Sequence, residues 1–262
     1  MSSQLPLVVD IDGTFLKTDM LFEGFWLAMG KAPQETLRIA WEHFGDRARL
    51  KQEIVRLADI RVDLLPVNPE IELMVRRAQD EGREVIFASA SDIALVQKLA
   101  DYHNIDGAHL GSDGSTNLKG AAKAVALENR YGRGGFAYAG DHSSDFDVWK
   151  RAGDAILVGY HSGPARALDA AGISFTRLHK GWSRRSLAKG LRPHQWVKNA
   201  LLLLPLVAAH SLDPMAVFRV LVAIAAFSAA ASSIYVVNDL LDLEADRQHP
   251  KKQFRPLAAG QA

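Results

Sequence analysis

Residues 7–14 read Leu-Val-Val-Asp-Ile-Asp-Gly-Thr, an apolar run that ends in two carboxylates, a glycine and a hydroxyl. The run has the character of a buried strand, and the glycine behind it that of a tight loop. In an open α/β sheet, ligands gather at the carboxyl ends of the strands, so Asp10 and Asp12 are expected at the mouth of a site. Alternate residues of a strand point the same way, which lets both carboxylates reach one metal ion or phosphate. Paired aspartates before a glycine also occur in solvated turns, so the assignment depends on what the rest of the chain supplies.

Beyond this run the chain alternates between helix and strand. Residues 19–79 carry apolar positions at three- and four-residue spacing: Leu21, Phe25 and Ala28, then Leu37, Ala40, Trp41 and Phe44, then Ile54, Leu57 and Ala58. Pro33, Gly45, Pro66 and Pro69 punctuate the stretch. Strands are predicted over 84–89, 108–110, 136–139 and 155–158, the last clear one, and helices over 93–102, 121–129 and 145–151. Residues 111–114 read as a turn without chemistry. Such alternation implies an α/β fold, a Rossmann-like parallel sheet with helices on both faces, whose right-handed crossovers bring successive strand ends to one edge.

Three later stretches occupy strand ends and helix starts. Residues 84–89 end in Ser89, Lys119 precedes a helical pattern, and Gly140-Asp141-His142-Ser143-Ser144-Asp145 follows the apolar run 136–139. The order Asp-x-Asp, Ser, Lys, Gly-Asp-x-x-x-Asp resembles the haloacid dehalogenase (HAD) superfamily of phosphatases. The resemblance implies a phosphatase domain over residues 1–175, in which residues 19–79 form a small helical cap. Phe22, Phe25, Trp26 and Trp41 would line the substrate side of such a cap or form its own core.

The same resemblance implies roles for individual residues. Asp10 would be the nucleophile that forms an aspartyl-phosphate, and Asp12 the acid that protonates the leaving oxygen and then activates water. Ser89 would bind the phosphoryl group, and Lys119 would offset its charge and restrain Asp10. Mg²⁺ would be held by Asp10, Asp141 and Asp145 together with the Asp12 carbonyl. Two positions stay open: Ser91 competes with Ser89, because residues 89–92 also suit a helix N-cap, and Lys123 competes with Lys119. The loop position before Gly120 favours Lys119. Asp145 also suits the first turn of a helix, and His142 reads as solvated.

Charge and composition narrow the partners. Lys and Arg number 31 against 30 Asp and Glu, which gives no case for nucleic acid. The absence of cysteine excludes disulfides, thiolate metal sites and cysteine nucleophiles. The first residues, Met-Ser-Ser-Gln-Leu-Pro, have neither the basic start nor the apolar core of a signal peptide, so the amino-terminal domain is expected in the cytoplasm.

That balanced average hides a division. Residues 177–198 contain seven Lys or Arg and no Asp or Glu, and from Ala200 onward the chain becomes strongly apolar. Residues 176–198 are therefore read as a basic linker, and residues 199–262 as an all-α membrane segment with spans at about 200–212 and 216–237. Arg184, Arg185, Lys189, Arg192 and Lys198 precede the first span, while Arg247, Lys251, Lys252 and Arg255 follow the second. Positive-inside bias then puts both ends of the hairpin on the cytoplasmic side of the cell (inner) membrane.

Behind the second span stands Asn238-Asp239-Leu240-Leu241-Asp242-Leu243-Glu244-Ala245-Asp246. On one continuous helix Asp239, Asp242 and Asp246 share a face, where a cation bridging a pyrophosphate would relieve their repulsion. Together with residues 192–199 and 249–256, this stretch resembles the opening of a UbiA-type prenyltransferase, closest to the branch that transfers phosphoribosyl to a polyprenyl phosphate. The resemblance implies a diphosphate and Mg²⁺ site of Asn238, Asp239, Asp242, Asp246, Lys198, Asn199 and Arg255. The second acidic motif of that family is missing from these residues, so the expectation is a truncated or partial transferase domain. The expected function is a Mg²⁺-dependent phosphatase tethered to membrane lipid, acting on a phosphorylated small molecule or a lipid-linked sugar phosphate. The alternatives are a transferase activity and a non-catalytic membrane scaffold.

Overall fold

The computed structural model describes residues 4–113, 116–159, 162–179, 184–210 and 213–261. The chain divides into two compact units, Met1–Gly181 and Trp182–Ala262.

Six parallel strands form the sheet of the first unit: β1 (Leu7–Val9), β2 (Val85–Asp92), β3 (Leu110–Ser112), β4 (Ala137–Gly140), β5 (Asp154–Val158) and β6 (Phe175–Leu178). Their order is β3-β2-β1-β4-β5-β6. Period-two alternation divides the apolar side chains between the faces. Leu7 and Val9 join Phe87 and Ala139 in one buried cluster, while Val8 joins Ile86, Tyr138 and Trp149 in the other. Between β1 and β4 the strand order reverses, so the chains leaving their carboxyl ends diverge and open a crevice.

Seven of the covering helices have clear counterparts in the sequence pattern. They are α1 (Met20–Lys31), α2 (Pro33–Glu42), α3 (Arg47–Ala58), α4 (Pro69–Asp80), α5 (Ile93–Tyr102), α6 (Ala121–Tyr131) and α7 (Phe146–Trp149); α8 (Ser162–Ala170) precedes β6. The helical stretch foreseen over 19–79 is not one insertion. Helices α1 to α3 pack on one another, and a short antiparallel bridge, Leu16 with Val67, joins the two ends of the segment. Helix α4 instead buries Ile71, Val75 and Ala78 with Leu7 and Val9, which makes it the crossover into β2. Trp41 is 86% exposed and takes no part in either buried cluster.

Three local readings are corrected. The third strand runs Leu110–Ser112 instead of 108–110, and it takes in part of the expected 111–114 turn, whose Gly114 lies outside the described residues. A Cβ on Gly111 would stand 2.7 Å from the Ile93 Cα, so only glycine permits this strand to lie against the start of α5. The expected 145–151 helix is a 3₁₀ turn, Ser143–Asp145, followed by the single turn of α7. Strand β6 was not foreseen, because Phe-Thr-Arg-Leu at a half-exposed sheet edge shows no apolar run.

His109 closes the gap where β3 has not yet begun. Its Nδ1 accepts from the Phe87 N–H at 3.0 Å, and its Nε2 lies 3.0 Å from the Ile105 carbonyl, an arrangement that needs the neutral Nε2–H tautomer. Burial pushes the imidazole below the usual histidine range, against the pull of that carbonyl. The unfolded chain, with its histidine pKa near ~6.5, therefore takes up the proton first as pH falls. The stabilisation is complete above about pH 6.5 and is lost as pH drops from there through the lower folded pKa. Urea unfolding across this range should show a shallower pH dependence for His109→Gln than for the wild type; equal slopes would refute the assignment.

The second unit contains α9 (Arg184–Gly190), a 3₁₀ segment (Pro193–Leu203), α10 (Leu204–Ala208), α11 (Pro214–Leu241) and α12 (Leu243–Gln248). Helix α11 has 28 residues, roughly 42 Å at 1.5 Å per residue, and is the one described helix long and apolar enough to cross a membrane. Phe218, Phe227 and Ile234 on it are exposed, as suits a lipid environment. The span expected at 200–212 is replaced, where described, by the end of the 3₁₀ segment and the five residues of α10; residues 211–212 lie outside the described residues. Trp196 Nε1 donates to Ser232 at 2.9 Å and Asn199 Nδ2 to Ser228 at 2.8 Å, which fastens the 3₁₀ segment to α11.

Candidate active site

The first site grows from the end of β1. Asp10 donates its backbone N–H to the Ala139 carbonyl at 2.9 Å, which ties the loop to β4. The chain then turns through residues 11–15, with Gly13 in the left-handed region at φ +78°. This turn returns Asp12 to the crevice. Its Oδ1 accepts from the Met20 N–H at 2.8 Å, and its Oδ2 accepts from Ser89 Oγ at 3.1 Å and Ser91 Oγ at 2.7 Å.

Asp10 is buried, and Lys123 Nζ donates to its Oδ1 at 2.7 Å. The same ammonium lies 3.0 Å from Tyr138 Oη and 3.6 Å from Asp145. Tyr138 in turn donates to Asp145 Oδ1 at 2.8 Å. Burial raises the Asp10 carboxyl well above the usual carboxylate range; Lys123 opposes the shift, and Asp145 and Asp12 add to it. Burial alone would lower Lys123, but Asp10 and Asp145 outweigh it and hold the ammonium above its ordinary value. Burial and the neighbouring carboxylates likewise raise Tyr138, which keeps its hydroxyl a donor.

Asp141 and Asp145 arrive from the end of β4. Their carboxylate oxygens and one from Asp10 lie within 4.8 Å of one another, and all three residues are buried. Three hard oxygen donors at this spacing fit a divalent cation of the Mg²⁺ type. Gly140 makes the approach possible: a Cβ there would stand 2.7 Å from Asp145 Oδ2 and 2.8 Å from the Tyr138 ring. A cavity of about 330 Å³ opens onto Asp10, Asp12 and Asp141. A second cavity of about 430 Å³, lined by Arg56, Asp92 and Lys98, contains none of these carboxylates.

Two expected residues have other places. Lys119 is exposed on the cavity rim, whereas Lys123 makes the ion pair with Asp10. Gly120, at φ +56°, starts α6, and the first turn of that helix carries Lys123 over β1. Ser89 is fully buried and directed to Asp12 instead of the cavity. Ser91 shares its direction as the next-but-one strand residue, and Asp92 caps α5 by accepting from Ala94 N–H at 2.9 Å. His142 is exposed and caps the 3₁₀ turn through Ser144 N–H. Tyr138 was missed; a polar ring inside an otherwise small apolar strand was its only signal.

The second unit departs further from expectation. Helix α11 ends at Leu241, so Asp239, Asp242 and Asp246 do not share one helix face. Asp242 is exposed at the break, while Asp239 and Asp246 are buried and joined by Arg255, at 3.0 and 2.6 Å. Arg192 binds both oxygens of Asp239 at 2.6 and 2.9 Å. Guanidinium groups thus relieve the repulsion that a cation was expected to relieve. Lys198 and Asn238 are exposed, and Asn199 serves the 3₁₀ segment.

No family model matches the chain. The uncharacterized protein y4nM of Sinorhizobium fredii is 36% identical over 261 residues, covering 98% of this chain and 50% of that protein. The decaprenyl-phosphate phosphoribosyltransferase of Mycobacterium tuberculosis is 49% identical over 79 residues, 28% of this chain and 26% of that enzyme. The chain thus spans about half or less of the length of these curated relatives. A solved structure from Bordetella pertussis, a protein with unknown function, matches with a TM-score of 0.53 at 17% identity over 67% of this chain and 99% of that one. At that identity the likeness is one of fold. The first unit has a Rossmann-like parallel-sheet fold, shared with the Bordetella pertussis protein, and the same chain continues into a carboxyl-terminal region similar in sequence to part of the decaprenyl-phosphate phosphoribosyltransferase of Mycobacterium tuberculosis.

Proposed function

We propose that the first unit is a Mg²⁺-dependent phosphomonoester hydrolase that works through an aspartyl-phosphate on Asp10. The observation that carries this reading is the buried Asp10–Lys123 pair at the end of the central strand, with Asp12 two residues on and Asp141 and Asp145 within reach of one cation. Asp10 attacks phosphorus in line, the bond to the ester oxygen breaks, and that oxygen takes a proton from Asp12. Asp12 then accepts a proton from water, whose oxygen attacks the same phosphorus and frees Asp10 and phosphate. Lys123, in the role expected of Lys119, holds Asp10 and offsets charge on the phosphoryl oxygens. Ser89 and Ser91 position Asp12, which must release one of these hydroxyls to take up its proton. Mg²⁺ bound by Asp10, Asp141 and Asp145 would supply further charge compensation.

Phosphate release from p-nitrophenyl phosphate tests the reading. Chelation by EDTA is expected to lower the rate by about 100-fold or more, and added Mg²⁺ to restore it. A rate untouched by EDTA would overturn the metal assignment, and no release from any phosphomonoester would overturn the enzyme.

The carboxyl-terminal region supports a membrane setting for this activity. Helix α11 crosses the bilayer in this reading, and Arg247, Lys251, Lys252 and Arg255 behind it favour a cytoplasmic position for that end by positive-inside bias. A transferase that moves phosphoribosyl groups leaves a sugar phosphate on a lipid, so a lipid-linked sugar phosphate is the proposed substrate. Deleting the first unit in cells should make the phosphorylated lipid-linked sugar accumulate.

A further inference from the structure

Four lysines line the cavity above Asp10, and only one of them is used by the reaction centre. Lys123 is bound to Asp10 and Asp145. Lys17, Lys51 and Lys119 face the same cavity of about 330 Å³ without an ion-pair partner among the described residues. Lys51 comes from the cap helix α3, is half-buried, and donates one hydrogen bond, to the Ala90 carbonyl at 3.1 Å. That carbonyl already accepts from Ser112 Oγ at 2.8 Å, so the lysine is held over the end of β2 by a neutral partner.

Asp12 and Asp19 take their hydrogen bonds from other groups, and Lys51 acts on Asp19 only through space. Asp12 is occupied by one backbone amide and two serine hydroxyls. Asp19 caps α1, accepting from the Leu21 and Phe22 amides at 2.8 and 3.0 Å. Five carboxylates and four lysines line the cavity, and a divalent cation bound by Asp10, Asp141 and Asp145 would tip that balance to the positive side. Lys17, Lys51 and Lys119 thus stand on the cavity wall outside the Asp10–Lys123–Asp145 cluster, where their ammonium groups are available to an anion other than the reacting phosphoryl group.

We infer that Lys17, Lys51 and Lys119 form a second anion subsite, and that the substrate is a phosphomonoester whose leaving group carries another negative group, a phosphate or a carboxylate. The inference rests on the phosphatase reading for its reacting phosphoryl group and adds the class of leaving group. Lys51 joins this recognition to the cap, since it is the one of the three that comes from the inserted helices.

Two matched pairs of probes test the subsite in the full chain with Mg²⁺. Ribose 1,5-bisphosphate against ribose 5-phosphate varies a second phosphate, and 3-phosphoglycerate against glycerol 3-phosphate varies a carboxylate. The doubly anionic member of at least one pair should show a kcat/KM higher by about tenfold, and the pair that responds identifies the second group. Lys51→Met should remove most of that advantage through KM while changing p-nitrophenyl phosphate turnover by less than about twofold. Lys17→Met and Lys119→Met should act in the same direction. Calorimetric binding of the four probes to the Asp10→Asn protein gives a readout independent of turnover. Binding preference without turnover in the wild type would sink the phosphatase and leave the subsite; turnover with no preference in either pair, or equal losses on all substrates for Lys51→Met, would sink the subsite alone.

Discussion

Asp10→Asn protein is expected to hydrolyse p-nitrophenyl phosphate about 10⁴-fold more slowly than the wild type, or worse, while remaining folded. The amide is nearly the shape of the carboxylate, so the packing at the end of β1 is kept, but it offers no nucleophilic oxygen to phosphorus. Folding should tolerate the change for an electrostatic reason. Asp10 is costly to ionise, because burial and the nearby Asp145 and Asp12 all raise its pKa. Removing that charge relieves its desolvation while Lys123 keeps Asp145 at 3.6 Å and the Tyr138 hydroxyl at 3.0 Å. Acid quenching should trap phosphorylated wild-type protein and no phosphorylated variant. A variant that keeps a tenth of the wild-type rate would end the covalent mechanism on Asp10, since Asp12, the neighbouring carboxylate, is held by the Met20 amide and the Ser89 and Ser91 hydroxyls in its role as acid and base.

Lys123→Met should damage both stability and activity. The lysine is buried between Asp10 and Asp145, so its loss leaves two carboxylates in a low-dielectric crevice without a cation. Breaking a buried pair in this way typically costs about 3–5 kcal/mol. The loss should shrink as pH falls, because Asp10 escapes the penalty by taking up a proton, and urea unfolding at two pH values would show this. On p-nitrophenyl phosphate the rate should fall by about 10²–10³-fold, the usual cost of removing one preorganised charge from a developing transition state. Lys119→Met is the control: this exposed rim residue makes no contact with Asp10, and its loss should leave stability and p-nitrophenyl phosphate turnover nearly unchanged. A larger loss for Lys119→Met than for Lys123→Met would restore the assignment made from the sequence.

Lys119 and Lys123 illustrate why adjacent candidates could not be separated by sequence. Both stand near the start of one helix, and which of them faces Asp10 depends on where Gly120 begins α6 and on where that helix lies over the sheet. Ser89 and Ser91 pose the same difficulty. Two residues apart on β2, both reach Asp12, so the choice between them was misplaced. The acidic run behind α11 failed differently: a periodic reading assumes an unbroken helix, and the helix breaks after Leu241. Arg192, 47 residues before Asp239, then supplies a charge that no local pattern could assign to it.

The order of residues alone determined the alternation of strands and helices, the aspartates at two strand ends, and the change from a charged unit to an apolar one. Each of these depends on neighbours within a few positions, where backbone periodicity and hydropathy are direct consequences of side-chain chemistry. Tertiary structure decided which lysine meets Asp10, that Tyr138 joins Lys123 to Asp145, and that arginines rather than a shared face gather Asp239 and Asp246. These contacts join residues 7 to 113 positions apart, and they exist only once sheet order, helix phase and burial have fixed where each side chain lies.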